Sequence, residues 1–311
     1  MDSIFNPSVA IIIVNWNGYS FTKACIKSLD KVNYSSFQII LVDNGSKNLE
    51  GEKLKREFPQ IDLIQNEENL GFAGGNNVGI RRAVEEGFSF VMLLNNDTEV
   101  EADFLKQMFS KFQSRPNLGM VQPSIFFLHE KTKIWSAGGK WDSFLGRAIT
   151  IGDREMAENF ELKDREIDWA TGCCVMISRK ALEQLGLLNE QYFTYFEDVD
   201  WSLRLSDKGY KIELASEAWV YHEAGASSKE KHSEGTLSAR VFYFHVRNQI
   251  FLLRNRLSGI SFYAALGYHG LRFFAWMAYF CLRGRFQKLK AVARGINHGL
   301  FSTLEKTQKW P

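Results

Sequence analysis

At 311 residues, with 45% apolar and 24% charged side chains, the chain exceeds the usual single domain and its composition excludes a disordered polymer; one large domain with an appendage is expected. The formal net charge of +2 conceals a segregation, because the stretch from Gly235 to Leu304 holds ten Arg or Lys and no Asp or Glu, leaving the first 234 residues net acidic. Cys25, Cys173, Cys174 and Cys281 lack metal-type spacing and the adjacent pair is ill placed for a disulfide, so reduced thiols in a cytosolic setting are expected, with no leader visible at Met1-Asp2.

Taken in chain order, "VAIIIV" (9–14), "FQIILV" (37–42), "IDLIQN" (61–66) and "FSFVMLL" (88–94) are short apolar runs rich in β-branched residues. That is the pattern of parallel strands buried on both faces. Helices are predicted between them at 20–31, 50–58 and 75–87, and after them at 101–114. The alternation predicts a doubly wound α/β sheet, whose ligands bind at the carboxyl ends of the strands. Each strand runs into polar residues: "NWNG" (15–18), "DNGS" (43–46), "NEENLGFAGGNN" (66–77) and "NNDTE" (95–99). One polar tip is unremarkable; four on one sheet edge predict a site.

From about 117 to 177 the pattern turns mixed and strand-rich, with 138–155 expected as a mobile excursion. Helices follow at 178–186 and 198–208, then strands at 210–214 and 218–222. Residues 235–257 read as helix, with Arg240, Arg247 and Arg254 spaced by seven among aromatics and leucines. The segment 259–282 has the length of a membrane span, but His269 and Arg272 near its middle favour a basic, aromatic segment lying at a membrane interface. Packing in an oligomer or against the domain is the second reading of that segment, and a true span the third.

Asp97 ends the fourth strand in "LLNNDTEV". Alone it would cap the helix expected from about 101. Beside Asn95 and Asn96 it is equally a carboxylate that could hold a hard divalent cation shared with a substrate diphosphate. Asp43 is either a turn residue or an acceptor for a ring N–H of a base. The glycines of "LGFAGGNN" precede a helix, where anions are favoured, yet their spacing is not the dinucleotide fingerprint. In "YFEDVDWSLRL" (195–205), Asp200 can pair with Arg204 along a helix, whereas Glu197 and Asp198 have little structural purpose. A carboxylate at a helix start could take a proton from an attacking hydroxyl. His222 closes a strand and is either structural or a metal ligand.

The ordered set "VNWNG", "VDNGS", "NLGFAGGNN", "LLNNDTEV", "WATGCCVMISRKAL", "YFEDVDWSLRL" and "YHEAG" resembles family 2 inverting glycosyltransferases, nearest to bacterial rhamnosyltransferase-like members, from about residue 8 to 257. The resemblance implies an α/β GT-A fold over residues 1–234, with a Rossmann-like nucleotide-binding half on a mixed sheet and an acceptor half. A helical, basic and aromatic region, membrane-associating, would follow over 235–311. It implies Mg²⁺ or Mn²⁺ held by Asp97 with His222, and donor contacts from Asn15, Asp43, Asn69, Gly74, Gly75, Asn77, Asn95 and Asn96. Asn95 stands where many relatives have Asp. Trp169 and Gly172 would wall the acceptor pocket, and Asp198 would be the catalytic base with Glu197 beside it.

The implied reaction moves rhamnose from dTDP-rhamnose, or else a hexose from a UDP donor, to a saccharide or lipid-linked saccharide in cell-surface polysaccharide synthesis. The implied setting is the cytoplasmic face of the inner membrane, with a homo-oligomer as one option and no nucleic-acid partner. A nucleotidyltransferase is disfavoured because "NWNGYSFTK" lacks a Gly-rich cationic loop, and a dehydrogenase because no dinucleotide fingerprint follows the first strand. A non-catalytic nucleotide-sugar binding protein is the remaining alternative.

Overall fold

The computed structural model describes residues 7–223, 229–232 and 234–303. The chain begins with β1 (Val9–Asn15), α1 (Tyr19–Leu29), β2 (Phe37–Asn44), α2 (Glu50–Glu57), β3 (Asp62–Asn66), α3 (Gly71–Glu85) and β4 (Phe90–Leu94). These four strands are parallel and adjacent in the order β4-β1-β2-β3. Val9 through Ile13 have no exposed surface, which explains why β1 reads as a continuous apolar run rather than an alternation. The register sets Asn15 beside Asp43 and Asn44 beside Asn66, so the polar tips share one edge as expected.

One boundary differs. α3 starts at Gly71 rather than near 75, and takes in the glycines that the sequence placed in a loop. Those glycines let the helix lie on the sheet. A Cβ on Gly79 would come within 2.5 Å of Ile12 Cγ2, and one on Gly75 within 2.9 Å of Val14 Cγ1.

Beyond β4 come β5 (Thr98–Val100), α4 (Phe104–Ser114), β6 (Leu118–Phe127), β7 (Glu130–Ser136), β8 (Gly139–Asp142), β9 (Arg147–Thr150), β10 (Arg165–Glu166), β11 (Cys174–Ser178), α5 (Arg179–Leu185), α6 (Glu197–Asp207) and β12 (Lys211–His222). β11 inserts antiparallel between β4 and β6, giving a mixed sheet of order β10-β12-β6-β11-β4-β1-β2-β3, with β5 on β12 and β7 on β6. β12 is one strand where two were expected; an irregularity between Ala215 and Trp219 bends it without ending it. The stretch 138–155, expected as a mobile excursion, contains the paired strands β8 and β9, and Asp142 Oδ1 shapes their turn by accepting from the Phe144 and Leu145 amides. All four cysteines are free thiols, three of them buried.

The chain divides into two compact units, one of residues 1–140, 150–188 and 201–224, the other of 141–149, 189–200 and 225–311. The first holds the large sheet. The second holds β13 (Lys229–His232), β14 (Gly235–Leu237), α7 (Ala239–Arg256), α8 (Gly259–Leu282) and α9 (Phe286–Phe301). The helix expected from 235 thus begins four residues later, after a short strand.

Val246, Ile250, Phe273, Phe280 and Val292 form a core among the three tail helices. The arginines spaced by seven point into this unit rather than forming a basic surface. Arg240 lies over the Phe193 ring, Arg247 is buried, and Arg254 donates to the Gly299 and Ser302 carbonyls at the end of α9. Among the described residues no helix is long and apolar enough to cross a membrane.

Candidate active site

At the carboxyl edge of the sheet, Asn15 uses every polar atom of its amide. Nδ2 donates to Ser46 Oγ and Glu50 Oε2, each at 3.0 Å, and Oδ1 accepts from Thr22 Oγ1 at 2.7 Å. Thr22 Oγ1 accepts in turn from Asn96 Nδ2 at 2.9 Å. The "NWNG" loop closes over this network through Gly18, where a Cβ would stand 2.6 Å from Asn96 Nδ2. The tips of β1, β2 and β4 are therefore tied together, and Asn15, fully buried, is occupied by the tie. Asp43 accepts from the Ser46 and Gly51 amides at 3.2 and 2.9 Å, which realises its turn reading and anchors the start of α2. A carboxylate offers about four lone-pair sites, so acceptor capacity remains on Asp43.

Asn44, which the sequence reading passed over, is the hub of the next loop. Its Nδ2 donates to Asn69 Oδ1 and the Gly71 carbonyl, and its Oδ1 accepts from Asn66 Nδ2 and the Leu70 amide. Only its place directly after Asp43 at a strand tip could have flagged it. Asn69 also accepts from the Gly71 amide at 2.8 Å. Gly74 faces Leu70 and Gly75 faces Val14. Asn77 grips the Leu188 backbone with both ends of its amide, at 2.9 and 3.0 Å. The Trp169 indole donates to the Lys140 carbonyl and lies against Gly139, and both Trp169 and Gly172 are buried. Each of these residues has a packing or hydrogen-bonding role that requires no ligand.

Asp97 and His222 do meet. Antiparallel pairing of β5 with the end of β12 sets Thr98 opposite His222, and the Glu223 amide donates to the Asp97 carbonyl at 3.0 Å. His222 Nε2 lies 3.1 Å from Asp97 Oδ1, with both side chains buried. Trp135 packs edge-on against the imidazole at 4.5 Å, and the buried Nδ1 has no hydrogen-bond partner. β5 also removes the capping role for Asp97, since α4 starts only at Phe104. The last residues of "YHEAG", Ala224 and Gly225, lie outside the described residues.

Two neighbouring ligands of an octahedral cation with bonds of about 2.1 Å stand about 3 Å apart. The pair therefore fits a divalent metal, and one oxygen with one imidazole nitrogen suits Mn²⁺ better than the all-oxygen preference of Mg²⁺. Among the described residues no group of three or more His, Cys, Asp or Glu could hold a metal. A cation here would take its remaining ligands from substrate and water.

The start of α6 belongs to the second unit. Asp198 is half-buried there, whereas Glu197 is buried and its Oε2 has no partner. Burial first, then the charges of Asp198 and Asp200, raise the Glu197 carboxyl well above the usual carboxylate range. The Arg204 guanidinium donates to the Leu185 and Leu187 carbonyls.

The backbone entering α6 is strained. Phe193, Tyr195 and Phe196 have φ of 63°, 70° and 72°, left-handed values that cost non-glycine residues on the order of 1–3 kcal/mol each. α7 holds this loop. Fully buried Asn248 donates Nδ2 to the Tyr192, Thr194 and Tyr195 carbonyls at 2.9, 2.7 and 2.9 Å. Arg247 Nη2 donates to the Gln191 and Tyr192 carbonyls, each at 2.8 Å. Tyr195 stacks on His245 at 4.3 Å and Phe193 on Phe244 at 5.2 Å. Sequence reasoning named Arg247 only as one of the spaced arginines and passed over Asn248, so neither was marked as a holder of this loop; the one hint was an asparagine, a poor helix former, mid-helix.

Glu197 sets a pH dependence of stability. Its folded value lies above its unfolded one, so below the unfolded value both states are protonated and no penalty exists. As pH rises past the ordinary glutamate range, the unfolded state sheds its proton first and stability falls. Wild type should therefore lose melting temperature between pH 5 and pH 8, and Glu197→Gln should lose less, in a thermal-shift series. Equal losses in both proteins would mean that Glu197 keeps its charge in the fold.

Residues 10–186 match the family described as Glycosyl transferase family 2. A low-salt glycan biosynthesis hexosyltransferase of Haloferax volcanii is 29% identical over 207 residues, covering 66% of this chain and 63% of that protein, so the chain spans under two thirds of that relative. An N-acetylglucosaminyl-diphospho-decaprenol L-rhamnosyltransferase of Mycobacterium tuberculosis is 22% identical over 268 residues, 80% of this chain and 85% of the relative. The solved mannosyltransferase of Pyrobaculum calidifontis, in complex with GDP-Man and Mn²⁺, has a TM-score of 0.57 at 14% identity, over 96% of this chain and 88% of that one. The fold is that of the GT-A enzymes, and with the family matched over more than half of its length, the chain belongs to glycosyl transferase family 2, a class of sugar-transferring enzymes.

Proposed function

We propose that this chain is a metal-dependent, inverting glycosyltransferase that moves a sugar from a nucleoside-diphosphate donor to a saccharide or lipid-linked saccharide in cell-surface polysaccharide synthesis. The Asp97–His222 pair at the tip edge of the sheet carries the reading. A divalent cation on that pair would supply Lewis-acid stabilisation of the leaving diphosphate. Half-buried Asn95 and Asn96 are the proposed neutral contacts beside it, and Trp16, 40% exposed after β1, offers a stacking face to the base. Asp43 is the proposed acceptor for a ring N–H of the base.

In the reaction, the acceptor O–H gives its proton to a carboxylate as its oxygen bonds the anomeric carbon. The bond to the diphosphate breaks on the opposite face, its electron pair leaving with the nucleotide, and the configuration inverts. The transition state is oxocarbenium-like, as in glycoside hydrolysis. Asp198 is the proposed base and Glu197 is not, because Asp198 is half-exposed whereas Glu197 is buried, which raises its carboxyl well above the usual carboxylate range. dTDP-rhamnose is the proposed donor, supported by the motif resemblance and by the rhamnosyltransferase relative; a UDP-hexose is the second reading, supported by the hexosyltransferase relative.

Calorimetric titration with dTDP, UDP and GDP, each with and without Mn²⁺, tests the donor site. One nucleotide should bind at least tenfold tighter with metal. If the folded protein binds none of the three, the transferase reading falls.

The proposed setting is the cytoplasmic face of the inner membrane. Along the 24 residues of α8 the exposed side chains are apolar or small, Leu271 and Phe274 at 74% and 70% exposure among them, and its one arginine, Arg272, is half-buried. α9 exposes Phe286, Lys290, Arg294 and Phe301. Such faces bind anionic bilayers by apolar insertion plus basic charge. The protein should sediment with vesicles containing anionic phospholipid at low salt, and Leu271→Glu with Phe274→Glu should cut the bound fraction at least tenfold. A dimer in light scattering with no sedimentation would assign the face to a second copy instead.

A further inference from the structure

We infer that Arg247 and Asn248 are positioning residues for the transfer reaction, acting through the strained loop that aims Asp198. The inference rests on the reading of Asp198 as the base. The geometry is specific. Three residues of the loop preceding α6 hold left-handed backbone, Phe193, Tyr195 and Phe196, none of them glycine. Five hydrogen bonds from two adjacent side chains of α7 hold four carbonyls of this loop and its approach, those of Gln191, Tyr192, Thr194 and Tyr195. Arg247 Nε donates to Asn248 Oδ1 at 2.8 Å, which fixes the amide so that its NH₂ faces the loop.

The last loop residue, Phe196, supplies the carbonyl that accepts from the Asp200 amide at 2.9 Å and so begins α6. Glu197 and Asp198 are the next two residues. Their direction is set by Phe196, whose own φ is held by its neighbours. A loop that needed only to connect two elements would relax to ordinary backbone. Held left-handed values just ahead of the proposed base point to positioning.

The buried pair also explains what a basic surface reading of α7 cannot. A guanidinium and an amide with almost no exposed surface serve carbonyls of the loop rather than a membrane surface. The next residue, Gln249, repeats the pattern, donating to the Gly146 carbonyl at 3.0 Å.

The test uses the full chain and the nucleotide sugar whose nucleotide binds in the titration, with water as acceptor and nucleoside diphosphate release as the signal. Asn248→Ala should lower kcat at least tenfold while the Mn²⁺-dependent nucleotide affinity stays within about twofold. Arg247→Lys keeps the charge and stem but loses the planar fork; it should lower kcat less, and it carries the test alone if Asn248→Ala does not fold. Arg254→Ala is the control, since that side chain holds carbonyls at the end of α9 instead. It should lose melting temperature without a comparable loss of kcat.

The inference is overturned if the folded pair variants keep wild-type kcat, or if Arg254→Ala loses as much turnover at equal stability. Asp198→Asn separates the two claims. Retained turnover in that variant removes the base and the inference with it. Lost turnover there, with Asn248→Ala and Arg247→Lys unaffected, removes the inference alone.

Discussion

Asp198→Asn should lower nucleoside diphosphate release by about 10²–10⁴-fold, the usual contribution of a general base, with metal-dependent nucleotide binding kept within a few-fold. Asparagine preserves the shape at the start of α6 and removes only the proton acceptor. Glu197→Gln is the informative partner. Burial raises this carboxyl well above the usual carboxylate range and leaves Asp198 the proposed proton acceptor, so this variant should keep turnover within about tenfold while altering stability with pH. Steady-state release by the two variants at pH 7 distinguishes the readings. If Glu197→Gln abolishes turnover and Asp198→Asn spares it, the roles are reversed. If neither variant loses turnover, the base lies elsewhere in the chain; if wild type itself releases no nucleoside diphosphate, the chain binds nucleotide sugar without turning it over.

Asp97→Asn should abolish the gain in nucleotide affinity that Mn²⁺ confers and lower turnover by about 10²–10³-fold, in line with the several kcal/mol that a Lewis acid contributes to a leaving oxyanion. Nucleotide binding without metal should change little, because the tie among Asn15, Thr22 and Asn96 does not pass through Asp97. His222→Ala should show the same pattern less severely, since the carboxylate supplies the charge. Calorimetry with and without Mn²⁺ reads both. Undiminished Mn²⁺ dependence in Asp97→Asn would place the metal elsewhere.

Several of these residues were visible in one dimension. Continuous apolar runs located β1, β2 and β4, because a strand core covered on both faces disfavours polar residues, and that constraint is local. The polar tips followed from the same runs, and their convergence followed from parallel pairing. Asp97 stood out as a carboxylate directly behind a buried strand. The glycines of "LGFAGGNN" show what one dimension leaves open: glycine marks close approach, but sequence does not say to what. Gly75 approaches Val14 of β1, as Gly79 just beyond the stretch approaches Ile12.

Sequence by itself determined the α/β alternation, the edge on which a site would form, and the carboxylates and histidine worth testing, since each is written in nearest-neighbour pattern and residue chemistry. Only the tertiary structure decided which of them meet and which serve the scaffold. His222 reaches Asp97 because β12 pairs with β5, a contact between residues far apart in the chain that no local pattern encodes. Asn15 and Asn77 were shown to be occupied because hydrogen-bond satisfaction depends on partners brought by other elements. The same holds for Arg247 and Asn248. A cation in a helix looks the same on paper whether it faces water or backbone carbonyls, and burial, which chooses between them, exists only once the chain has folded.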